Sequence, residues 1–477
     1  MLWTCLHLPD LSLQLALRAG DVAQALVITQ GGQRPQVLSC NAEALRCGIR
    51  PGMLVSAALA LTPRLIERTR DPRAEAQALH SLAQWAGQFT PDLALQSDRA
   101  LLLEVENCLR LFGGLRTLTT RLQNELEALG YRATIAHAPT PTAAWLFAQA
   151  GIATTLRDRH ELKRALSPLP LGLLHQPRDV VEKLEQMGIR TIGECLKLPR
   201  DGLSRRFGQA LLNEMDRALG RIPDPRPSFV APTTYEGRLP LPSPIMEVEA
   251  MLFATKRLVM EMTGFLTRRE AGVTLLKLDL WHEDEPPTHV DLRLTLPSRD
   301  PATLLQLLRE RLTHITLKAR VEVIGLRADE IAPLAGRNLT LFPDEQDEAE
   351  ERQRLIEHLR ARLGVEKVHS VATFPDHRPE FAYRSCEPGK SPVEACALKR
   401  PLWLLQQPRP LPWDEAGPRL DGPLTLTAGP ERIESGWWDG RDIRRDYFTA
   451  RTTRGQTLWV FRERGPAQGW YVHGLFG

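Results

Sequence analysis

Apolar and polar residues alternate along AGVTLLKLDLWHE and THVDLRLTLPS, the period-two signature of half-buried strands, and a Pro-Pro turn joins the two. Upstream, Ile245, Val248, Met251, Leu252, Leu258, Val259, Met262 and Phe265 recur at helical spacing. TYEGRLPLP before them and VEVIGLRADEI after the strands read as further strands, and PATLLQLLRERLTHI reads as a second helix. Residues 231–333 therefore predict a β-α-β-β-α-β unit of the split-βαβ kind.

The N-terminal third mixes both periods. Residues 1–8 and ALVITQ (25–30) predict buried strands, and NAEALRCGIRPGMLVSAALALTP predicts a helix, a glycine turn and a second helix. ALLLEVENCLRLFGG is a strand running into a turn, and Leu115–Leu129 is an amphipathic helix stopped by Gly130. YRATIAHAP is strand-like and 141–150 helical, which makes an α/β or α+β domain of about 165 residues. Residues 166–222 hold short helices broken by proline and glycine, centred on LEQMGIRTIGECLKLP. Beyond 334 come NLTLF, a run of acids, a helix over 350–363, a proline-rich crossing (375–418) and a tail of short strands. That tail holds six of the ten tryptophans, Trp403, Trp413, Trp437, Trp438, Trp459 and Trp470. Two readings of them stand, a packed β module and a partner surface, since tryptophan is favoured at interface hot spots.

Composition narrows the class. A chain of 477 residues is too long for one core and calls for several domains. With 43% hydrophobic and 25% charged residues it reads as soluble globular protein, and a net charge of +3 does not announce a nucleic-acid binder. Seven scattered cysteines without a CxxC pair argue against a disulfide framework or zinc site and suit a reducing cytoplasm. MLWTCLHLPD shows no basic leader and no apolar run of spanning length, so the expectation is a cytoplasmic chain with no membrane partner.

NAEALRCGIRPGM, LLLEVENCLRLFGG, LEQMGIRTIGECLKLP and the β-α-β-β-α-β unit occur in the order of the Y-family (translesion) DNA polymerases, which the chain resembles over residues 1–333. The resemblance implies an α+β multidomain right hand. A palm spans 1–165 with fingers inserted at about 12–75, a helix-hairpin-helix thumb 166–230 and a little finger 231–333. A linker at 334–349 and a tryptophan-rich interaction region at 350–477 complete the plan. It further implies sequence-independent binding of primer-template DNA. Gly188, Thr191 and Gly193 fit the thumb's hairpin pattern, while Arg190, Lys197, Arg200, Arg205 and Arg206 offer phosphate contacts; a solvated helix face is the alternative for the arginines.

The chemistry departs from the family. Phosphoryl transfer there needs Mg²⁺ held by acidic oxygens. The first-strand Asp position falls on His7, with Asp10 three residues on, and the Asp-Glu pair of the second strand falls on Arg99 and Ala100. Asp98 faces the wrong way by strand alternation. Ala42 and Leu45 replace the triphosphate grip, Ser12 lies near the sugar-screening position, and no late palm lysine is present. No metal or other cofactor is expected.

That pattern resembles the ImuB-type branch of the family, to which PSPIMEVEA, ESGWWDGRDIRRDYF and WYVHGLFG are also similar. The branch implies a non-catalytic adaptor in damage-induced mutagenesis, associated with the nucleoid. Its partners are a RecA-like protein, ImuA, and the alpha subunit of an error-prone C-family DNA polymerase. Bacterial β sliding clamps bind peptides approximating Gln-Leu-Ser/Asp-Leu-Phe, which Asn338, Leu339, Thr340, Leu341 and Phe342 match with Asn for Gln. Apolar anchors in a groove suit such docking, and a short edge strand is the alternative. Two other functional readings stay open: an active polymerase using displaced carboxylates (Asp10, Asp98 or Glu104), and a DNA-binding protein with no part in synthesis.

Overall fold

Strand β1 (Trp3–His7) is paired on both sides and sits second from one edge of an antiparallel sheet ordered β5-β6-β1-β7, with β5 Leu93–Gln96, β6 Ala100–Glu104 and β7 Thr134–Ala138. The computed structural model describes every residue except 19, 21, 22, 335–350, 353, 354, 358, 361, 389–399, 466, 467 and 477. It divides into two compact units, Met1–Glu345 and Gln346–Gly477, and is α+β with a β-rich C-terminal part.

Alternation along the strands builds a core on each face of the first sheet. Cys5, Ala100, Leu102, Ala136 and Ala138 turn toward helix α6 (Pro141–Gln149). Leu6, Leu101, Leu103 and Ile135 turn toward α4 (Pro72–Ala86) and α5 (Leu115–Ala128). Helix α1 (Leu11–Leu17) follows β1. A smaller sheet ordered β3-β2-β4 (β2 Leu26–Thr29, β3 Val37–Cys40, β4 Ile66–Thr69) forms with α2 (Ala42–Arg46) and α3 (Val55–Leu61) around its own core of Val27, Val37, Ala44 and Ile49. Side-chain caps start the helices where polar residues allow: Asn41 accepts from Ala44 N–H, Asp71 caps α4 ahead of Pro72, and Thr140 caps α6 ahead of Pro141.

Five short helices follow, α7 (Leu162–Leu166), α8 (Arg178–Gln186), α9 (Ile192–Cys195), α10 (Arg200–Phe207) and α11 (Gln209–Ala218). Leu166, Leu184, Ile192, Leu203, Phe207, Leu211 and Met215 join the core beneath α6. The split-βαβ module is then β8 (Tyr235–Ile245), α12 (Val248–Arg268), β9 (Ala271–His282), β10 (Thr288–Ser298), α13 (Pro301–Thr313) and β11 (Val321–Pro333). Its sheet order is β10-β9-β11-β8, so β11 inserts between β8 and β9, the strands of the βαβ unit.

Helix α12 lies against α4 of the first sheet. Contact is close: a Cβ on Gly264 would come within 2.6 Å of the Trp85 ring. Beside it Arg18 and Glu261, 3% and 1% exposed, form an ion pair. Arg18 also donates to the Leu129 carbonyl (2.8 Å) and the Tyr131 hydroxyl (2.9 Å), while the Tyr235 hydroxyl donates to Glu261 (3.2 Å). Burial pushes the Glu261 carboxyl up, against the pull of Arg18 and Tyr235.

In the second unit β12 (Ser370–Thr373) pairs with β13 (Tyr383–Cys386), and β15 (Trp413–Asp414) with β16 (Gly417–Pro418). A five-stranded sheet runs β14-β20-β19-β18-β17, with β14 Trp403–Leu411, β17 Thr425–Ser435, β18 Ile443–Arg451, β19 Thr457–Glu463 and β20 Trp470–Leu475. The expectation of short strands needs correcting, since β17 spans 11 residues. Prolines at 408, 410 and 430 lie on β14 and β17, the two edges, where a missing N–H costs least. The tryptophans divide between the two readings. Trp459 is buried and stacked on Tyr447 at 4.0 Å, whereas Trp403, Trp413, Trp437 and Trp438 are exposed.

Candidate functional site: the centre of the first sheet and the helical segment

Antiparallel register places His7 directly opposite Ala100, and Arg99 adjoins them, its carbonyl accepting from Leu8 N–H at 2.8 Å. The structure thus gathers the three positions where the family resemblance puts metal-binding carboxylates. The His7 imidazole is buried, donates from Nδ1 to the Ala148 carbonyl at 3.2 Å, and meets the edge of Trp145 at 5.2 Å. Burial above all, with the Arg99 charge adding to it, holds its pKa below the ordinary imidazole value, so the ring is neutral at pH 7. Ala100 contributes a methyl group and Arg99 a guanidinium, which reaches the Pro9 carbonyl at 3.3 Å.

Of the neighbouring acids, Asp98 and Glu104 are engaged elsewhere. Asp98 does not lie on the strand. Ser97 has φ +57°, and residues 97–99 are the tight turn between β5 and β6, so alternation does not govern Asp98, contrary to the sequence expectation. Its carboxylate pairs with Arg70 at 3.0 Å, and Arg70 also clamps Glu75 at 2.6 Å. Ser12, near the sugar-screening position, donates to the same Glu75. Burial raises the Glu75 carboxyl, but the hydrogen bonds from Arg70 and Ser12 outweigh it and leave the pKa low. Glu104 pairs with Trp3 at the far end of the ladder, four residues or roughly 13 Å from Ala100. There it accepts from Leu2 N–H at 3.2 Å. Asp10 precedes α1 without a side-chain cap bond.

Among the described residues no three His, Cys, Asp or Glu side chains converge as a metal site. A neutral imidazole, a methyl and a guanidinium do not suit Mg²⁺, which demands oxygen ligands. Ala42 and Leu45 lie on α2, where neither side chain can hold phosphate. Arg70 and Glu75 are the pair that sequence reading missed. They sit five residues apart in RTRDPRAEA, and nothing there marks them as facing Asp98 and Ser12.

In the helical segment Gly188 adopts φ +84°, a conformation that glycine tolerates best, at the turn after α8. Thr191 caps α9 in a capping box, with Glu194 accepting from the N–H groups of Arg190 (2.7 Å) and Thr191 (3.1 Å). Those bonds hold the exposed Glu194 carboxyl below the usual range. Gly193 has a packing reason to be glycine, since a Cβ there would lie 2.7 Å from Ser167. Arg190, Lys197, Arg205 and Arg206 are exposed and have no ion-pair partner among the described residues. Arg200 differs from the sequence expectation, being tied to Asp216 on α11. Asn338, Leu339, Leu341 and Phe342 lie outside the described residues. Among the described residues no helix is long and apolar enough to cross a membrane.

Residues 16–149 match the impB/mucB/samB family (IMS). The chain is 27% identical over 457 residues to Protein ImuB of two Caulobacter vibrioides strains, NA1000 / CB15N and ATCC 19089 / CIP 103742 / CB 15, covering 90% of this chain and 100% of each relative. Among solved structures it is similar to DinB from Sulfolobus solfataricus (18% identity, TM-score 0.38, covering 69% of this chain and 98% of that one). It is also similar to an insertion ternary complex of Dbh DNA polymerase (18%, TM-score 0.40, 70% and 100%). Likenesses at that score carry no weight on their own. The end-to-end relatives and the family match together support an ImuB-type protein built on the Y-family polymerase plan.

Proposed function

We propose that this chain is a non-catalytic, polymerase-like adaptor of damage-induced translesion synthesis. In this reading the first sheet is the palm, β2–β4 with α2 and α3 the fingers, α7–α11 the thumb and the split-βαβ module the little finger. One observation carries it: His7, Ala100 and Arg99 stand together where metal-binding carboxylates would be needed, with Asp98 held by Arg70. The alternative of displaced carboxylates is left with Asp10 alone near His7, because Glu104 lies at the opposite end of the ladder from Ala100 and Asp98 is held by Arg70. The partners proposed are primer-template DNA, the β sliding clamp through Asn338–Phe342, ImuA, and the error-prone C-family polymerase alpha subunit, all cytoplasmic and at the nucleoid.

Primer extension with purified protein and Mg²⁺ or Mn²⁺ tests catalysis. No incorporation is expected from the unmodified chain or from His7→Asp, and template-dependent incorporation surviving stringent purification overturns the reading. For the clamp, Leu341→Ala with Phe342→Ala should weaken a micromolar contact by about two to four decades, at roughly 1.5–3 kcal/mol per buried anchor. Melting should not change. Early melting with aggregation would instead mark the segment as core.

A further inference from the structure

The open face of the split-βαβ sheet is covered with charge. Cross-strand register sets Arg327 opposite Lys277 and Glu236, Gly325 opposite Arg238 and Asp279, and His289 opposite Asp279, so these side chains project to the same side. Every cation there is paired on the spot. Arg238 bonds Glu236 (2.9 Å), Lys277 bonds Asp329 (2.8 Å), Arg293 reaches Glu330 (3.5 Å) and Arg327 bonds Asp279 (2.9 Å). Asp279, 4% exposed, also accepts from His289 at 2.6 Å. Asp291, opposite Lys277, adds a further carboxylate, so Glu236, Asp279, Asp291, Asp329 and Glu330 outnumber the four Arg and Lys side chains of the face.

A cation that already neutralises a neighbouring carboxylate releases little condensed counterion when it meets DNA, and the neighbour repels the incoming phosphate. The thumb is the opposite case, because Arg190, Lys197, Arg205 and Arg206 are exposed without ion pairs among the described residues. We infer that the phosphate grip on DNA lies in the thumb and that the little-finger sheet, neutralised by its own carboxylates, makes no net electrostatic contribution to it. The inference rests on the DNA-binding reading above and narrows it to one module.

The test is the salt dependence of affinity for a labelled primer-template duplex, measured with the full chain. Replacing Arg238, Lys277 and Arg293 by Gln, with Arg327 kept to hold Asp279, should leave Kd within about twofold and the log–log salt slope unchanged. Replacing Arg190, Lys197, Arg205 and Arg206 by Gln should flatten that slope by roughly 0.9 per lost contact, up to about 3–4, and weaken binding at least about tenfold. A third variant, Glu236→Gln with Asp329→Asn and Glu330→Gln, unmasks three cations and should steepen the slope. A flatter slope in the first variant, an unchanged one in the thumb variant, or no steepening in the third overturns the inference while leaving DNA binding intact. If the unmodified chain shows no salt-dependent binding, the DNA reading fails and the inference with it.

Discussion

Arg205 in the helical segment and Arg327 on the split-βαβ sheet are the same residue type in parts of one chain, and their surroundings give them different capacities. Arg205 is exposed beside Arg206 at the end of α10 and forms no ion pair among the described residues. Arg327 closes on Asp279, whose carboxyl burial raises but the hydrogen bonds from His289 and Arg327 hold below the usual range. Arg18 is a third state, buried with Glu261 between α12 and the first sheet. A free surface arginine can meet a polyanion, a paired one is largely spent, and a buried pair serves the fold.

The largest effect should come from the buried state. Arg18→Met leaves Glu261 without its counter-charge and should cost about 3–5 kcal/mol, read as an earlier calorimetric transition. Arg18→Met with Glu261→Leu should recover most of the loss, and a single variant that melts like the parent would remove the pair from the account. Arg327→Met should cost less, about 1–3 kcal/mol, because Arg327 is 37% exposed while Asp279 is not. The same change has a pH signature. A carboxyl whose folded pKa is lowered adds stability above its unfolded value, near 3.9, and loses it as pH falls toward its own lower pKa. Arg327→Met should therefore flatten the acid limb of the stability curve below about pH 4, and an unaltered limb would mean that Asp279 keeps its low pKa without the arginine. Smallest of all, Glu236→Gln alone should shift stability by under about 1 kcal/mol, since both partners of that pair are about half exposed.

The split-βαβ module was legible in the sequence because its strands run 11 to 13 residues and β8 and β10 alternate between buried and wet positions along much of their length. Strands β3, β4 and β5 were not, being four residues each and too short to show a period. Helix α4 escaped notice although Asp71-Pro72 before it is a start signal. At the His7 end of the β1–β6 ladder, the loss of acids at His7, Arg99 and Ala100 was readable residue by residue. The engagement of Asp98 by Arg70 was not, since it joins a turn to the residue just after β4, 28 positions away.

Sequence by itself determined the order and type of most long elements, α4 excepted, which follow from hydrophobic period and caps, and the absence of carboxylates where the family resemblance would have them. Both are properties of single positions or near neighbours. Tertiary structure alone decided which charges are free. Glu261 reaches Arg18 across 243 positions, and Asp279 reaches Arg327 across 48. A Coulomb contact depends on distance and dielectric in space, and neither can be read from separation along the chain.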